Sequence, residues 1–152
     1  MTDTAQNLLI RPLSAQDEPE WRRLWCAYLE YYETSVPEEV YVSSFARLLG
    51  DDSQDFNGLV AELDGRLVGL THYLFHRHGW KIEKTCYLQD LFSDPDVRGR
   101  GIGRALIEGV YAAADEAGAP TVYWLTQDFN KAGRRLYDKI GVLTPFIKYA
   151  RP

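Results

Sequence analysis

Residues 94–106 join three glycines to three arginines in the run Asp-Pro-Asp-Val-Arg-Gly-Arg-Gly-Ile-Gly-Arg-Ala-Leu. Glycine has no Cβ, so the backbone of such a turn can come close to a ligand. The free N–H groups and the dipole of a following helix favour an anion there, and the guanidinium groups add positive charge. The pattern therefore predicts a pyrophosphate site. Its residues are Arg98, Gly99, Arg100, Gly101, Ile102, Gly103 and Arg104.

Other phosphate-binding patterns fit this turn less well. A nucleoside-triphosphate loop ends in Gly-Lys-Ser/Thr, which this turn lacks. A dinucleotide-binding fingerprint reads Gly-x-Gly-x-x-Gly and opens its fold, whereas here the spacing is Gly-x-Gly-x-Gly and four predicted strands come first. A coenzyme A turn and a merely structural glycine turn remain.

The elements that must position this turn are predicted from periodicity and turn chemistry. We expect strands at residues 8–10, 58–63, 66–75, 85–92, 121–126 and 142–150, and helices at 16–32, 37–49, 103–117 and 130–140. Asp64-Gly65 is a strong two-residue hairpin signal. The order predicts an α/β fold, with a mixed twisted sheet of six to seven strands and about four helices.

Composition limits the classes of function. The chain has 152 residues, enough for one domain over residues 1–152, and 45% of them are hydrophobic. A formal charge of −5 disfavours nucleic acid as a partner, and no apolar run is long enough to span a membrane. Cys26 and Cys86 have no metal-ligand spacing, so we expect two reduced, mostly buried thiols in a cytoplasmic protein.

Two motifs carry a resemblance to a known family. Residues 98–103, Arg-Gly-Arg-Gly-Ile-Gly, resemble the Arg/Gln-x-x-Gly-x-Gly/Ala pattern of the GNAT superfamily of N-acetyltransferases. Residues 130–141, Asn-Lys-Ala-Gly-Arg-Arg-Leu-Tyr-Asp-Lys-Ile-Gly, resemble its later Asn-x-x-Ala/Ser-x-x-x-Tyr-x-x-x-Gly segment. Residues 87–92, Tyr-Leu-Gln-Asp-Leu-Phe, are similar to a strand of the spermidine/spermine and yeast histone/polyamine branch.

The resemblance implies acetyl-coenzyme A (acetyl-CoA) as cofactor and direct transfer of its acetyl group to a primary amine within a ternary complex. The amine would belong to a polyamine, an amino acid or a lysine side chain. Relatives in this branch commonly pair or exchange C-terminal strands, which implies a homodimer. An aminoglycoside substrate, a non-catalytic acyl-CoA-binding module and a partner-binding scaffold are the alternatives.

The resemblance also assigns roles around the cofactor. The backbone of the strand end would hold the pantetheine arm and the thioester, and the start of the last helix would flank that arm. These residues are Leu91, Phe92, Ser93, Asn130, Ala132 and Gly133.

Two residues are candidates for proton transfer. Tyr137 would be the general acid that protonates the leaving thiolate. Gln89 stands where the related branch has a glutamate base, and glutamine accepts no proton at neutral pH but can hydrogen-bond an amine or a water. Either a water relays the proton, or Glu33 or Asp90 replaces the glutamate.

Aromatic and acidic residues at the end of the first predicted helix suit an ammonium group. The predicted substrate-binding residues are Tyr31, Tyr32 and Glu33, with Tyr123, Trp124 and Leu125 on the opposite wall. His72, His76 and His78 share a strand face, so a metal site is conceivable. We expect them instead to be polar residues at an exposed strand end, with no metal.

Overall fold

The computed structural model describes residues 7–97 and 99–152, and this part of the chain contains five strands and four α-helices. The strands are β1 (Leu8–Pro12), β2 (Asn57–Leu63), β3 (Arg66–His76), β4 (Thr85–Ser93) and β5 (Val122–Tyr123). The helices are α1 (Glu18–Tyr31), α2 (Glu38–Leu49), α3 (Ile102–Glu116) and α4 (Lys131–Ile140). Short 3-10 turns at Ala15–Asp17 and Pro95–Val97 precede α1 and follow β4.

One mixed sheet runs in the order β1-β2-β3-β4-β5. The first four strands pair antiparallel, and β4 pairs with β5 in parallel, so the sheet is mixed as predicted. The hairpin between β2 and β3 turns at Asp64 and Gly65, whose φ angles of 52° and 83° confirm the predicted two-residue turn.

Each face of the sheet carries its own apolar layer. The layer under α1 and α2 includes Leu13, Trp21, Leu24, Trp25, Phe45, Leu48, Val60, Leu67, Leu70 and Phe92. The layer under α3 includes Leu59, Ala61, Leu63, Val68, Tyr73, Leu88, Ile102, Leu106, Ile107 and Val110. The three- and four-residue spacing of the buried positions in α1 and α3 makes both helices amphipathic, so each presents one stripe to the sheet.

A close approach sets the position of α3 against the middle of the sheet. A Cβ at Gly69 would lie 2.9 Å from the Ile102 Cγ2 and 3.0 Å from the Phe92 carbonyl oxygen. Only the missing side chain lets the start of α3 rest on β3 and β4 at this point. Gly69 therefore fixes the helix start relative to the strand that precedes the glycine-rich turn.

The prediction of six to seven strands is wrong, because the sheet has five. Residues 142–150, predicted as the last strand, form none in the described chain, and their side chains are exposed. Pro145 lacks an N–H group for a sheet ladder, and a strand also needs a neighbour with which to pair. β5 is shorter than the predicted 121–126 because the chain leaves β4 after Tyr123.

Two further structural facts bear on the sequence predictions. Cys86 is buried and Cys26 is exposed, so the expectation of two mostly buried thiols is wrong for Cys26. In the described residues, no helix is long and apolar enough to cross a membrane.

Candidate active site

The glycine-rich turn leads directly into α3. Gly99 and Gly101 have φ angles of 84° and 77°, and Gly101 is the N-cap residue of the helix. L-residues with a side chain rarely adopt this left-handed conformation, so glycine is required at both positions. The turn at residues 99–101 is exposed, and the first N–H groups of α3 follow it directly. Free N–H groups at a helix N-terminus suit an anionic ligand.

The arginines of this turn differ in their contacts. The Arg104 Nε donates to Glu108 at 3.2 Å, one turn further along α3. Arg100 is exposed, and Arg98 lies outside the described residues. A ligand anion would therefore compete with Glu108 for Arg104, whereas the backbone of the turn does not depend on that side chain.

A buried carboxylate anchors the segment between β4 and the turn. The Asp94 Oδ2 accepts from Arg66 at 3.0 Å and from Arg23 at 3.3 Å, and its Oδ1 accepts from the backbone N–H of Asp96 at 3.1 Å. The backbone N–H of Asp94 donates to the Val68 carbonyl at 2.7 Å. These bonds tie the end of β4 to α1 and β3 and thereby set where the glycine-rich turn begins.

β4 and β5 separate after Tyr87 and Tyr123, at one edge of the described sheet. Their pairing covers only Cys86 with Val122 and Tyr87 with Tyr123, whereas β4 continues to Ser93. Leu91, Phe92 and Ser93 pair with β3 on one side, and β5 does not reach them on the other. An extended ligand can lie along such an open strand edge, as the sequence analysis expects for these three residues.

The start of α4 is tied by Asn130 to the segment that follows β5. The Asn130 Oδ1 accepts from the Gly133 N–H at 3.1 Å and caps the helix, and its Nδ2 donates to the Thr126 Oγ1 at 3.0 Å. Ala132 is exposed beside it. The side chain of Asn130 therefore has a structural role of its own, because it caps α4 and fixes the helix start relative to Thr126.

A β-bulge determines which β4 side chains face α1. His72 pairs with Asp90 and Tyr73 pairs with Leu88, so Gln89 is the extra residue of β4. The Thr71 hydroxyl donates to the Asp90 carbonyl at 2.8 Å and satisfies it within the bulge. Gln89 is exposed, whereas the Asp90 side chain is 13% exposed and lies on the same face as α1. The bulge therefore brings Asp90 inward and leaves Gln89 at the surface.

Asp90 is held by a chain of buried polar groups. The His72 Nδ1 lies 2.8 Å from the Asp90 Oδ2, and the Trp21 Nε1 donates to the His72 Nε2 at 2.9 Å. His72 is buried, so its expected place at an exposed strand end is wrong. The His76 Nε2 contacts the Tyr123 hydroxyl at 2.8 Å instead. The described residues contain no cluster of three or more His, Cys, Asp or Glu side chains that could hold a metal ion.

Three tyrosine phenols lie within electrostatic range of the Asp90 carboxylate. Burial, followed by the charge of Asp90 and a hydrogen bond to it, raises the pKa of Tyr28 well above its usual value. Burial raises the pKa of Tyr32 and of Tyr87, and Asp90 adds to both shifts. All three phenols therefore keep their protons at neutral pH and can act as hydrogen-bond donors.

Tyr137 approaches the same region from α4. Burial raises its pKa, and the neighbouring phenols of Tyr32 and Tyr31 raise it further. Its ring packs edge-on against Trp124, with ring centroids 5.5 Å apart. The structure thus brings Tyr137 together with Tyr31 and Tyr32 from α1, and the raised pKa keeps the phenol in its acid form.

The end of α1 has an unusual backbone. Glu33 has a φ of 57°, and the N–H groups of Glu33 and Thr34 donate to the carbonyls of Glu30 and Leu29. This is the hydrogen-bond pattern of a Schellman cap, in which glycine normally takes the position of Glu33. A shallow depression beside the cap is lined by Glu30, Glu33, Thr34 and Ser35. Two carboxylates thus stand beside Tyr31 and Tyr32.

The opposite wall contains the other predicted substrate-binding residues. Tyr123 stacks on Tyr87 with ring centroids 4.9 Å apart, and Trp124 packs against Tyr137. Leu125 is exposed. The contacts of His72 with Trp21 and Asp90 could not be predicted from the sequence, because they form only when β3 pairs with β4 and packs against α1.

Comparison with known proteins adds independent findings. Residues 18–142 match the model of the Acetyltransferase (GNAT) family. The D-amino-acid N-acetyltransferase HPA3 of Saccharomyces cerevisiae is 34% identical over 145 residues, covering 95% of this chain and 90% of that protein. The thialysine N-epsilon-acetyltransferase of Bos taurus is 33% identical over 75 residues, covering 49% and 44%. A solved structure of the aminoglycoside N-acetyltransferase AAC(6')-Iy in complex with CoA superposes with a TM-score of 0.84 at 17% identity, covering 100% of this chain and 99% of that one, and so shares the fold.

Proposed function

Because the chain belongs to the acetyltransferase (GNAT) family, we propose that it acetylates the amino group of a free amino acid held at Asp90. As a member of that family it is an N-acetyltransferase that uses acetyl-CoA and an amine. The observation that carries the finer proposal is the Asp90 carboxylate, which the bulge turns inward toward α1 and which His72 contacts at 2.8 Å.

The residues of the opening fit acetyl-CoA. Left-handed glycines at 99 and 101 leave no Cβ between the backbone and a ligand at these positions, and the N-terminus of α3 suits the pyrophosphate. The β4 edge at residues 91–93 suits the amide groups of the pantetheine arm, which can pair with it as a short strand. When bound, acetyl-CoA supplies the thioester acetyl group and is released as the free thiol.

Asp90 supplies a negative charge for the incoming ammonium group. The carboxylate attracts the ammonium, accepts one of its protons and so exposes the nitrogen lone pair that attacks the acetyl carbon. The rings of Tyr28, Tyr32 and Tyr87 add cation–π attraction before that proton is lost. The proton leaves to solvent after the new amide bond has formed.

Tyr137 supplies the proton for the leaving sulfur. As the C–S bond breaks, the phenol donates to the thiolate, and the second proton of the attacking nitrogen restores the phenol through solvent. Tyr137→Phe should lower turnover by roughly ten- to ten-thousand-fold. Acetyl-CoA affinity should barely change, because the phenol acts on the developing thiolate rather than on the resting thioester. Unchanged turnover, with the chemical step shown to be rate-limiting, would refute this role.

Gln89 favours an amino acid over a polyamine. Its amide can donate to the substrate carboxylate, whereas a glutamate at this exposed position would repel it. The named activity of the 34% identical yeast relative, D-amino-acid acetylation, supports the same choice. Gln89→Glu should therefore lower kcat/KM for amino acids and raise it for polyamines, and the same values for both substrates in both enzymes would contradict the role of Gln89.

A polyamine is the second candidate, and the acidic depression lined by Glu30 and Glu33 favours it. A thiol-release assay over free amino acids of both hands, polyamines, lysine peptides and aminoglycosides separates the candidates. Exposed Cys26 reacts with thiol reagents, so each reaction needs a matched control without amine. Turnover of polyamines alone would replace the amino acid proposal.

The exposed C-terminal segment supports a homodimer. Five large apolar side chains in it are 73–90% exposed, which a second copy of the chain would cover. They are Val142, Leu143, Phe146, Ile147 and Tyr149. Light scattering at micromolar protein should give a dimer, and Ile147→Asp should shift it toward the monomer; a monomeric wild-type protein would contradict the proposal.

Residues 1–152 are proposed to form one catalytic domain, which the family match over residues 18–142 supports. A cytoplasmic location is proposed on the ground that Cys26 and Cys86 are both free.

A further inference from the structure

His72 has one hydrogen-bond arrangement open to it. The Trp21 indole N–H can only donate, so the His72 Nε2, 2.9 Å away, must accept. The remaining ring proton must then sit on Nδ1, where it faces the Asp90 Oδ2 at 2.8 Å. The indole therefore selects one neutral tautomer of His72, the one that donates to Asp90.

We infer that His72 is a positioning residue, set by Trp21, which holds the Asp90 carboxylate in the orientation that receives the substrate amine. The inference rests on the proposed role of Asp90 and goes beyond it, because neither Trp21 nor His72 touches the substrate. The direction of these hydrogen bonds carries the inference. Trp21 donates to His72 and His72 donates to Asp90, so Asp90 is the final acceptor and the group that meets the amine.

The surroundings of His72 and Asp90 support this positioning role. His72 and Asp90 side chains are 7% and 13% exposed, so solvent competes little for their hydrogen bond. The groups that face Asp90 are His72 from β3, Tyr28 and Tyr32 from α1, and Tyr87 from its own strand. His72 thus contacts the Oδ2 atom of the carboxylate, and the phenols are proposed to line the side that receives the amine.

Trp25 provides a matched control. It stacks on Trp21 with centroids 5.2 Å apart and also packs against His72, with centroids 5.8 Å apart. Its indole nitrogen has no hydrogen-bond partner among the described residues. Trp21→Phe and Trp25→Phe therefore each remove one indole from the same apolar layer, but only Trp21→Phe removes a hydrogen-bond donor to His72.

Nitrogen-15 NMR of the histidines measures the tautomer directly. In the wild-type protein the His72 Nδ1 should carry the proton, and Trp21→Phe should abolish that preference while Trp25→Phe preserves it. A wild-type His72 protonated at Nε2, or a tautomer insensitive to Trp21→Phe, would overturn the inference. This readout needs no substrate, so it stands even where the proposed activity fails on every amine tested.

Kinetics measure the consequence for Asp90. Trp21→Phe should lower kcat/KM for the amine by about ten-fold, the size of one charge-assisted hydrogen bond, with acetyl-CoA affinity unchanged. The effect should vanish in an Asp90→Asn background, because the chain then has no carboxylate to position. His72→Asn, whose amide N–H can still face Asp90, should retain more activity than His72→Phe.

Several outcomes would contradict this kinetic account. Equal losses of kcat/KM in Trp21→Phe and Trp25→Phe would show that Trp21 acts only through packing. Additive losses in the Trp21→Phe and Asp90→Asn double variant would show that Trp21 does not act through the carboxylate. Where Trp21→Phe does not fold, the comparison of His72→Asn with His72→Phe decides, and equal activities would overturn the inference.

Discussion

The left-handed backbone of Glu33 allows its strain and its charge to be separated by two substitutions. The left-handed conformation costs an L-residue with a side chain about 1–2 kcal/mol of folding free energy. Glycine adopts it without that cost but loses about 0.5–1 kcal/mol more conformational entropy on folding. Glu33→Gly should therefore raise the free energy of unfolding by up to about 1 kcal/mol. Glu33→Ala keeps the strain, so its stability should stay within about 0.5 kcal/mol of the wild-type value.

The charge has a separate effect on the amine. Glu33 is exposed, and an exposed ion pair contributes about 0.2–1 kcal/mol, which corresponds to an increase in KM of up to about five-fold when the carboxylate is removed. Both variants should show this increase, and added salt should reduce it. Urea unfolding with an unchanged m-value measures the stability, and steady-state kinetics at two ionic strengths measure KM. The reasoning is refuted if Glu33→Ala stabilises the protein as much as Glu33→Gly, or if the two KM values diverge.

Three other predictions concern the framework of the site. Gly69→Ala should lower the free energy of unfolding by about 1–3 kcal/mol and weaken acetyl-CoA binding, because the new Cβ pushes α3 from the sheet; unchanged melting and calorimetry would contradict it. In the native protein a thiol reagent should titrate Cys26 but not Cys86, whose burial raises its pKa to about 12, and both should react in denaturant. The hydrogen bond from Arg11 lowers the pKa of Asp17, so this carboxylate stabilises the fold at neutral pH and its contribution is lost as pH falls. Asp17→Asn should lower the free energy of unfolding by about 1–3 kcal/mol at pH 7. In unfolding measured against pH, the difference from the wild-type protein should shrink below about pH 4.

Local signals predicted the elements that carry the cofactor site. Asp64-Gly65 identified a hairpin because its two positive φ angles have a strict chemical requirement. The glycine-rich turn was predicted between a strand and a helix from its three glycines, and the structure adds that Gly99 and Gly101 adopt left-handed conformations. Such features depend on neighbouring residues in the chain and are therefore visible without tertiary contacts.

The amine side of the site depends on contacts between distant residues. In a regular strand, side chains alternate between the two faces, so Tyr87 and Asp90 would point to opposite faces. The bulge at Gln89 shifts this alternation by one residue and turns both toward α1. The bond between Trp21 and His72 joins residues 51 positions apart. The final strand was predicted at residues 142–150 from local sequence, although a strand also needs a partner, which these residues lack within the described chain.

Asp90→Asn tests the central claim most directly, because asparagine keeps the shape of the side chain and removes its charge. The measurement is the rate of thiol release with acetyl-CoA and the preferred amine, with acetyl-CoA affinity determined in parallel by calorimetry. We predict a fall in kcat/KM for the amine of roughly a hundred-fold to ten-thousand-fold, with acetyl-CoA affinity unchanged. Wild-type turnover in Asp90→Asn would show that the amine is held and deprotonated elsewhere, and would contradict the account.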